Sequence, residues 1–133
     1  MGGEAARTRL RAGPGVWIMV SGPYRSSPAS PSGVADPAER ARNLAALNEA
    51  ALALFRAGHV PIVGVNVALP LIGVAGEPSF DEIMMPLSLA LVDRCDACLR
   101  DGGPSTGADQ EAARFRATGR PVYGSLAEVP GAR

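Results

Sequence analysis

The sequence predicts an α/β fold in one domain, with a parallel sheet of about four to five strands and helices on both faces. Three observations predict it. Short apolar runs such as "VWIMV" and "HVPIVGV" stop at turn-forming or polar residues. The longer stretches between them place apolar residues at helical spacing behind capping signals. Strands and helices that alternate at this length call for parallel pairing with right-handed crossovers. At 133 residues, 47% apolar and 20% charged, the chain is long enough for one core and too short for two.

Residues 1–14 are rich in Arg, Gly and Ala without periodicity and read as a flexible arm, which leaves 15–133 as the domain. "VWIMVSG" reads as a buried first strand, and the Pro- and Ser-rich stretch after it as a long surface loop, either a lid over a pocket or a loop without function. Asp36, Pro37 and Glu39 fit N-cap, N1 and N3 of a capping box. Leu44, Leu47, Ala51, Leu54 and Phe55 then share one helical face, and Gly58 closes the helix. "HVPIVGV" is a second strand and "NVALPLIGVAGEP" a second loop. Ser79 and Glu82 form another capping box, before a helix reaching about Arg94 whose stripe is Ile83, Leu87, Ala90 and Leu91, with Pro86 expected to kink it. "DACLR" is a short third strand, "GGPSTGADQEAARF" a glycine-rich turn and helix, and "PVYG" a fourth strand. The whole has the Rossmann-like (flavodoxin-like) order of elements.

Composition excludes several function classes. All thirteen basic residues are arginine, and thirteen acids balance them to a formal charge of zero, so no bulk attraction to nucleic acid or anionic membrane is implied. The missing lysines carry no functional inference. "VWIMV" is far shorter than a signal-peptide core or membrane span, which makes a cytoplasmic protein the default. Cys95 and Cys98 form a CxxC without a second pair, and a single histidine leaves a structural zinc site short of ligands. The two read as buried thiols, and no metal or cofactor is called for. Trp17 reads as core, Met84 and Met85 as an apolar or subunit-facing surface, and His59 as stabilising the helix end or packing beside the strand.

In parallel sheets ligands bind beyond the carboxyl ends of the strands. That rule gathers residues 21–25, 65–66 and 102–111, with 123–125 as a further candidate. Gly102, Gly103 and Gly107 permit unusual backbone conformations, and the amides of residues 105–108 point out of a helix N-terminus, where an anion is held readily. Ser105 adds a hydroxyl and Arg25 a guanidinium. Asp109, three after Thr106, can act as a capping partner. Glu111 shares a face with Ala108 and Phe115, so it points inward or into a cleft. Two readings of Glu111 stand: a complement to the helix dipole, or a functional carboxylate.

These residues resemble the nucleoside 2-deoxyribosyltransferase-like superfamily, which includes nucleoside 5′-monophosphate N-glycosidases and small bacterial proteins. The resemblance covers about residues 16–124. Its carriers are "SGPYR" at 21–25, "VGVNVA" at 63–68, "RCDACL" at 94–99 and "STGADQE" at 105–111. It implies that Glu111 is the nucleophile and Ser105 a phosphate contact. It also implies that Gly22 and Arg25 lie on the phosphate-binding first loop, with Gly107 and Asp109 beside it at the helix start, that Tyr24 lines the sugar or base pocket, and that Asn66 lies near base or sugar. Asp96 looks structural. The family usually carries an aspartate eight residues ahead of Asp96. This chain has Ser88 there, with Asp81 and Glu82 about two turns earlier. The glycine-rich stretch also resembles that of phosphoribohydrolases that release cytokinin bases, which points to the same reaction class.

The expectation is therefore cleavage of the N-glycosidic bond of a nucleoside 5′-monophosphate through a glutamate nucleophile. A deoxyribosyltransferase, in which a second base resolves the intermediate, and a non-catalytic nucleotide-binding or sensing protein are the alternatives. The implied partner is a small nucleotide or nucleoside rather than a nucleic acid polymer or membrane, and the resemblance implies a homodimer or larger homo-oligomer.

Overall fold

The strands form where apolar residues can be buried on both sides at once. In a computed structural model, which describes residues 15–27 and 30–131, they are β1 (Trp17–Ser21), β2 (Val60–Val63), β3 (Ala97–Arg100) and β4 (Val122–Tyr123). All pair in parallel, in the order β2-β1-β3-β4. Alternation along the strands divides the core in two. Ile18, Val20, Ala97 and Leu99 face one way, and Met19 and Cys98 the other.

Helix α1 (Pro37–Arg56) covers the first face with Leu47, Ala50 and Leu54. Its start obeys the capping signals: Asp36 accepts a 2.8 Å bond from the Glu39 amide, and Pro37 stands at N1. Ala57 is the C-cap, and Gly58 comes next at φ 98°, a conformation suited to glycine. Phe55, expected on the buried face, is 64% exposed. The face that packs is centred on the Leu47–Leu54 line, and Phe55 lies one step, about 100°, round from it.

The segment 66–78 is not a loop. Residues Gly64–Ala75 form α2, with Pro70 inside it. Pro70 and Gly73 disguise a helix whose Ala68 and Ile72 pack against Phe80 and Met84 of α3 (Phe80–Val92). Burial of this third apolar cluster outweighs the lost amide of Pro70. The Ser79 side chain makes no capping bond, because residues Glu77–Ser79 form a 3₁₀ turn leading directly into α3. The buried line of α3 is Phe80, Met84, Ser88 and Val92, one step round from the expected stripe, and Ala90 is exposed. Met84 is thus core rather than surface. Helix α3 runs on through Pro86, which faces outward.

Helix α4 (Thr106–Ala117) covers the second face through Ala112 and Phe115, beside Val92 and both cysteines. The two thiols are free and buried. Trp17, expected in the core, is 47% exposed, at the open lower end of β1, where its backbone pairs with Asp96. That bond gives Asp96 a structural role. His59 is buried: its Nδ1 accepts from the Val16 amide and its Nε2 donates to the Pro130 carbonyl, so it ties both ends of the domain together. The result is a three-layer Rossmann-like α/β fold in which no helix of the described residues is long and apolar enough to cross a membrane. The N-terminal arm lies outside the described residues.

Candidate active site

β1 lies between β2 and β3, so the chain leaves its carboxyl end in one direction and returns beside it from the other. This is the topological switch point where α/β sheets open a crevice. A cleft of about 300 Å³ opens there. Gly22 lets its walls meet: a Cβ would lie 2.7 Å from the Asp101 carbonyl oxygen and 2.8 Å from Leu47 Cδ2.

Glu111 forms the floor. It lies in the second turn of α4, on the same side as Ala108 and Phe115, as the helical spacing requires. Ser21, the last residue of β1 and 1% exposed, donates a 2.6 Å hydrogen bond to Glu111 Oε1. Beneath it the Cys98 thiol donates to Ser21 Oγ at 3.6 Å. Burial pushes the Glu111 carboxyl above glutamate's ordinary range, while the Ser21 and Ser88 hydroxyls and the Arg100 guanidinium pull the other way. The Cys98 thiol is pushed up to about 11, mainly by burial, and stays protonated beside the carboxylate.

Beside Glu111 lies the N-terminus of α4. Ser105 is the N-cap: its Oγ accepts from the Ala108 amide at 3.2 Å, which leaves its own O–H to donate. The Thr106 and Gly107 amides, at the first two helical positions, have no acceptor within the helix. Gly107 lies close to Met85, where a Cβ would come 3.2 Å from Sδ. Only Gly102 of this stretch has a positive φ, 77°.

The outer wall is the segment after β1. It is a surface loop in which one isolated antiparallel bridge joins Ser26 to Val34 and the Ala35 amide donates to the Arg25 carbonyl. Asn43 of α1 holds it through the Tyr24 carbonyl at 2.9 Å. Opposite, Phe80 lies parallel to Tyr24 at 6° with ring centroids 6.4 Å apart. The Arg25 guanidinium rests 3.8 Å above the Phe80 ring, and its Nη1 is 3.4 Å from Asp81.

Of the site residues expected from sequence, Gly22, Tyr24, Arg25, Ser88, Ser105, Gly107 and Glu111 all line this one cleft. Two do not. Asn66 points outward and bonds Asn48 of α1, and Asp109 pairs with Arg100 at 3.0 Å. Residues 123–125 also lie outside it. Sequence reasoning gathered Ser21 with its loop but gave it no role, and it missed Phe80 and Arg100. Arg100 closes β3 and braces the glycine turn, with Nη1 on the Asp101 carbonyl and Nη2 on the Gly103 carbonyl. A charged residue ending an otherwise buried strand was the available signal. Among the described residues no group of three or more His, Cys, Asp or Glu is placed to hold a metal ion.

No protein-family model and no curated protein matches the chain.

Proposed function

We propose that the protein is an enzyme that cleaves the N-glycosidic bond of a nucleoside 5′-monophosphate, with Glu111 as nucleophile. The observation that carries this reading is the Glu111 carboxylate, held at 2.6 Å by Ser21 on the floor of the cleft, next to the N-terminus of α4, whose first amides have no acceptor within the helix. The phosphate docks on the Ser105 hydroxyl and the Thr106 and Gly107 amides, which the α4 dipole favours. Arg25 leaves its solvent-exposed partner Asp81 to complete the anion site.

With the phosphate fixed, the anomeric carbon lies against the Glu111 oxygen that Ser21 leaves free. Attack there, as the base departs through an oxocarbenium-like state, forms a glycosyl ester that water hydrolyses. Phosphate binding far from the reacting bond supplies the orientation. Two alternatives share this binding mode: transfer of the sugar from the ester to a second base, and binding without turnover.

Action in the cytoplasm as a homodimer or larger assembly goes with this reading. Val67, Leu71 and Val74 make an exposed apolar stripe on α2 that suits a subunit contact. The test is base release from a panel of ribo- and deoxyribonucleoside 5′-monophosphates and their nucleosides, with Glu111→Ala alongside. Release by the wild type alone supports the reading. Binding without release from any member refutes the hydrolase.

A further inference from the structure

Glycosidases that use a carboxylate nucleophile commonly pair it with a second carboxyl group that protonates the leaving atom. In this cleft Glu111 is flanked instead by two hydroxyls, Ser21 and Ser88, the latter buried against Gly64. The other carboxylate lining the cleft, Asp81, sits at the rim with its side chain 97% exposed and paired with Arg25. A carboxyl turned to solvent is poorly placed to protonate a base leaving inside the cleft.

The wall opposite has a marked preference of its own. Phe80 holds a flat, delocalised cation, the Arg25 guanidinium, 3.8 Å over its ring, with the Tyr24 ring parallel to it. A face that accepts a guanidinium accepts other flat cations of similar size. When Arg25 turns to the phosphate, that face becomes free.

From these two observations we infer that the preferred substrates are nucleotides whose base is already a cation, a pyridinium or an N-alkylated purine, joined to the sugar through the charged ring. The inference rests on the glycosidase reading and specifies its leaving group. The chemistry balances without an acid. A Glu111 oxygen bonds to C1′ as the C1′–N bond breaks, and the bonding pair returns to the ring nitrogen and cancels its charge. The base leaves neutral. Water then cleaves the ester: its oxygen goes to C1′, one proton stays on the new sugar hydroxyl, the other passes to solvent, and Glu111 is a carboxylate again. The cationic ring between Phe80 and Glu111 also offsets the burial of the carboxylate.

The experiment compares kcat/KM for base release from 7-methylguanosine 5′-monophosphate and guanosine 5′-monophosphate, which differ by one methyl group and its charge. Nicotinamide mononucleotide serves as a third substrate. General-acid assistance contributes about 10²- to 10⁴-fold, so the methylated nucleotide is expected to exceed the neutral one by at least ~100-fold. The rate with nicotinamide mononucleotide is expected to rise with pH and then stay level. Glu111-dependent release from the neutral nucleotide within ~10-fold of the methylated one would overturn the inference and leave the glycosidase intact, because a protein acid would then be supplying assistance of that size. A fall in the nicotinamide mononucleotide rate at alkaline pH, the mark of a required proton donor, would overturn it in the same way. Release that survives Glu111→Gln, or none from any of the three, would overturn both.

Discussion

Replacing Ser21 by alanine removes one oxygen and tests how Glu111 is held. The bond it deletes is 2.6 Å long, lies at a position 1% exposed, and ends on a carboxylate. A hydrogen bond to a charged group contributes about 1.5–3 kcal/mol, which corresponds to roughly 10- to 150-fold in kcat/KM if the carboxylate must be ionised and oriented to react. The loss has a recognisable pH signature. Ser21 favours ionised Glu111 against the desolvation that raises its pKa, so without it the pKa moves further up. The acid limb of the activity profile therefore shifts to higher pH, and activity at alkaline pH recovers in part. The assay is base release against pH for wild type and Ser21→Ala, with thermal unfolding as the control for folding. An unchanged limb with activity near wild type at every pH would mean that Ser21 neither orients Glu111 nor favours its ionised form.

Glu111→Gln should abolish release yet stabilise the fold at neutral pH. The folded carboxyl titrates above its ordinary value of 4.5, so from there upward the folded state holds more protons than the unfolded one and stability falls as pH rises through the folded pKa. Tm of the variant should exceed wild type at pH 7, by roughly 3–6 °C per kcal/mol recovered, and the difference should vanish below pH ~4. Arg100→Met removes the brace on the Asp101 and Gly103 carbonyls. It should lower stability by about 1–3 kcal/mol and raise KM for nucleotides more than for nucleosides, with lysine failing to restore the fork. Gly22→Ala forces a Cβ within 2.7 Å of a backbone oxygen, and denaturant unfolding should show a loss of about 1–3 kcal/mol together with loss of activity. Cys95 and Cys98, both pushed up to about 11 chiefly by burial, should resist a thiol reagent at pH 8 until the protein is unfolded.

Features that local chemistry decides were legible in the chain. Asp36, Pro37 and Glu39 announce α1 because a cap is satisfied within four residues, and the Ala108, Glu111, Phe115 spacing aims the glutamate because helical geometry does. Helix α2 stayed hidden because Pro70 and Gly73 contradict local propensity, and only packing on α3 makes it worthwhile. The buried line of α3 was obscured by Ser88, a polar residue at a core position that faces the cleft. Asn66 is in the right segment, but the helical phase of α2 turns it toward Asn48. The function of Arg100 depends on the path of the glycine turn around it, which no residue spacing encodes.

Nucleophilic attack by Glu111 leaves a covalent trace, which acid-quenching the enzyme during turnover would capture for intact-mass measurement and peptide mapping. A sugar-phosphate ester is expected on the peptide bearing Glu111 in the wild type, with neither ester nor base release in Glu111→Gln. Base release by the glutamine variant at the wild-type rate, or an adduct mapping to another residue, would contradict the assignment of Glu111 as nucleophile.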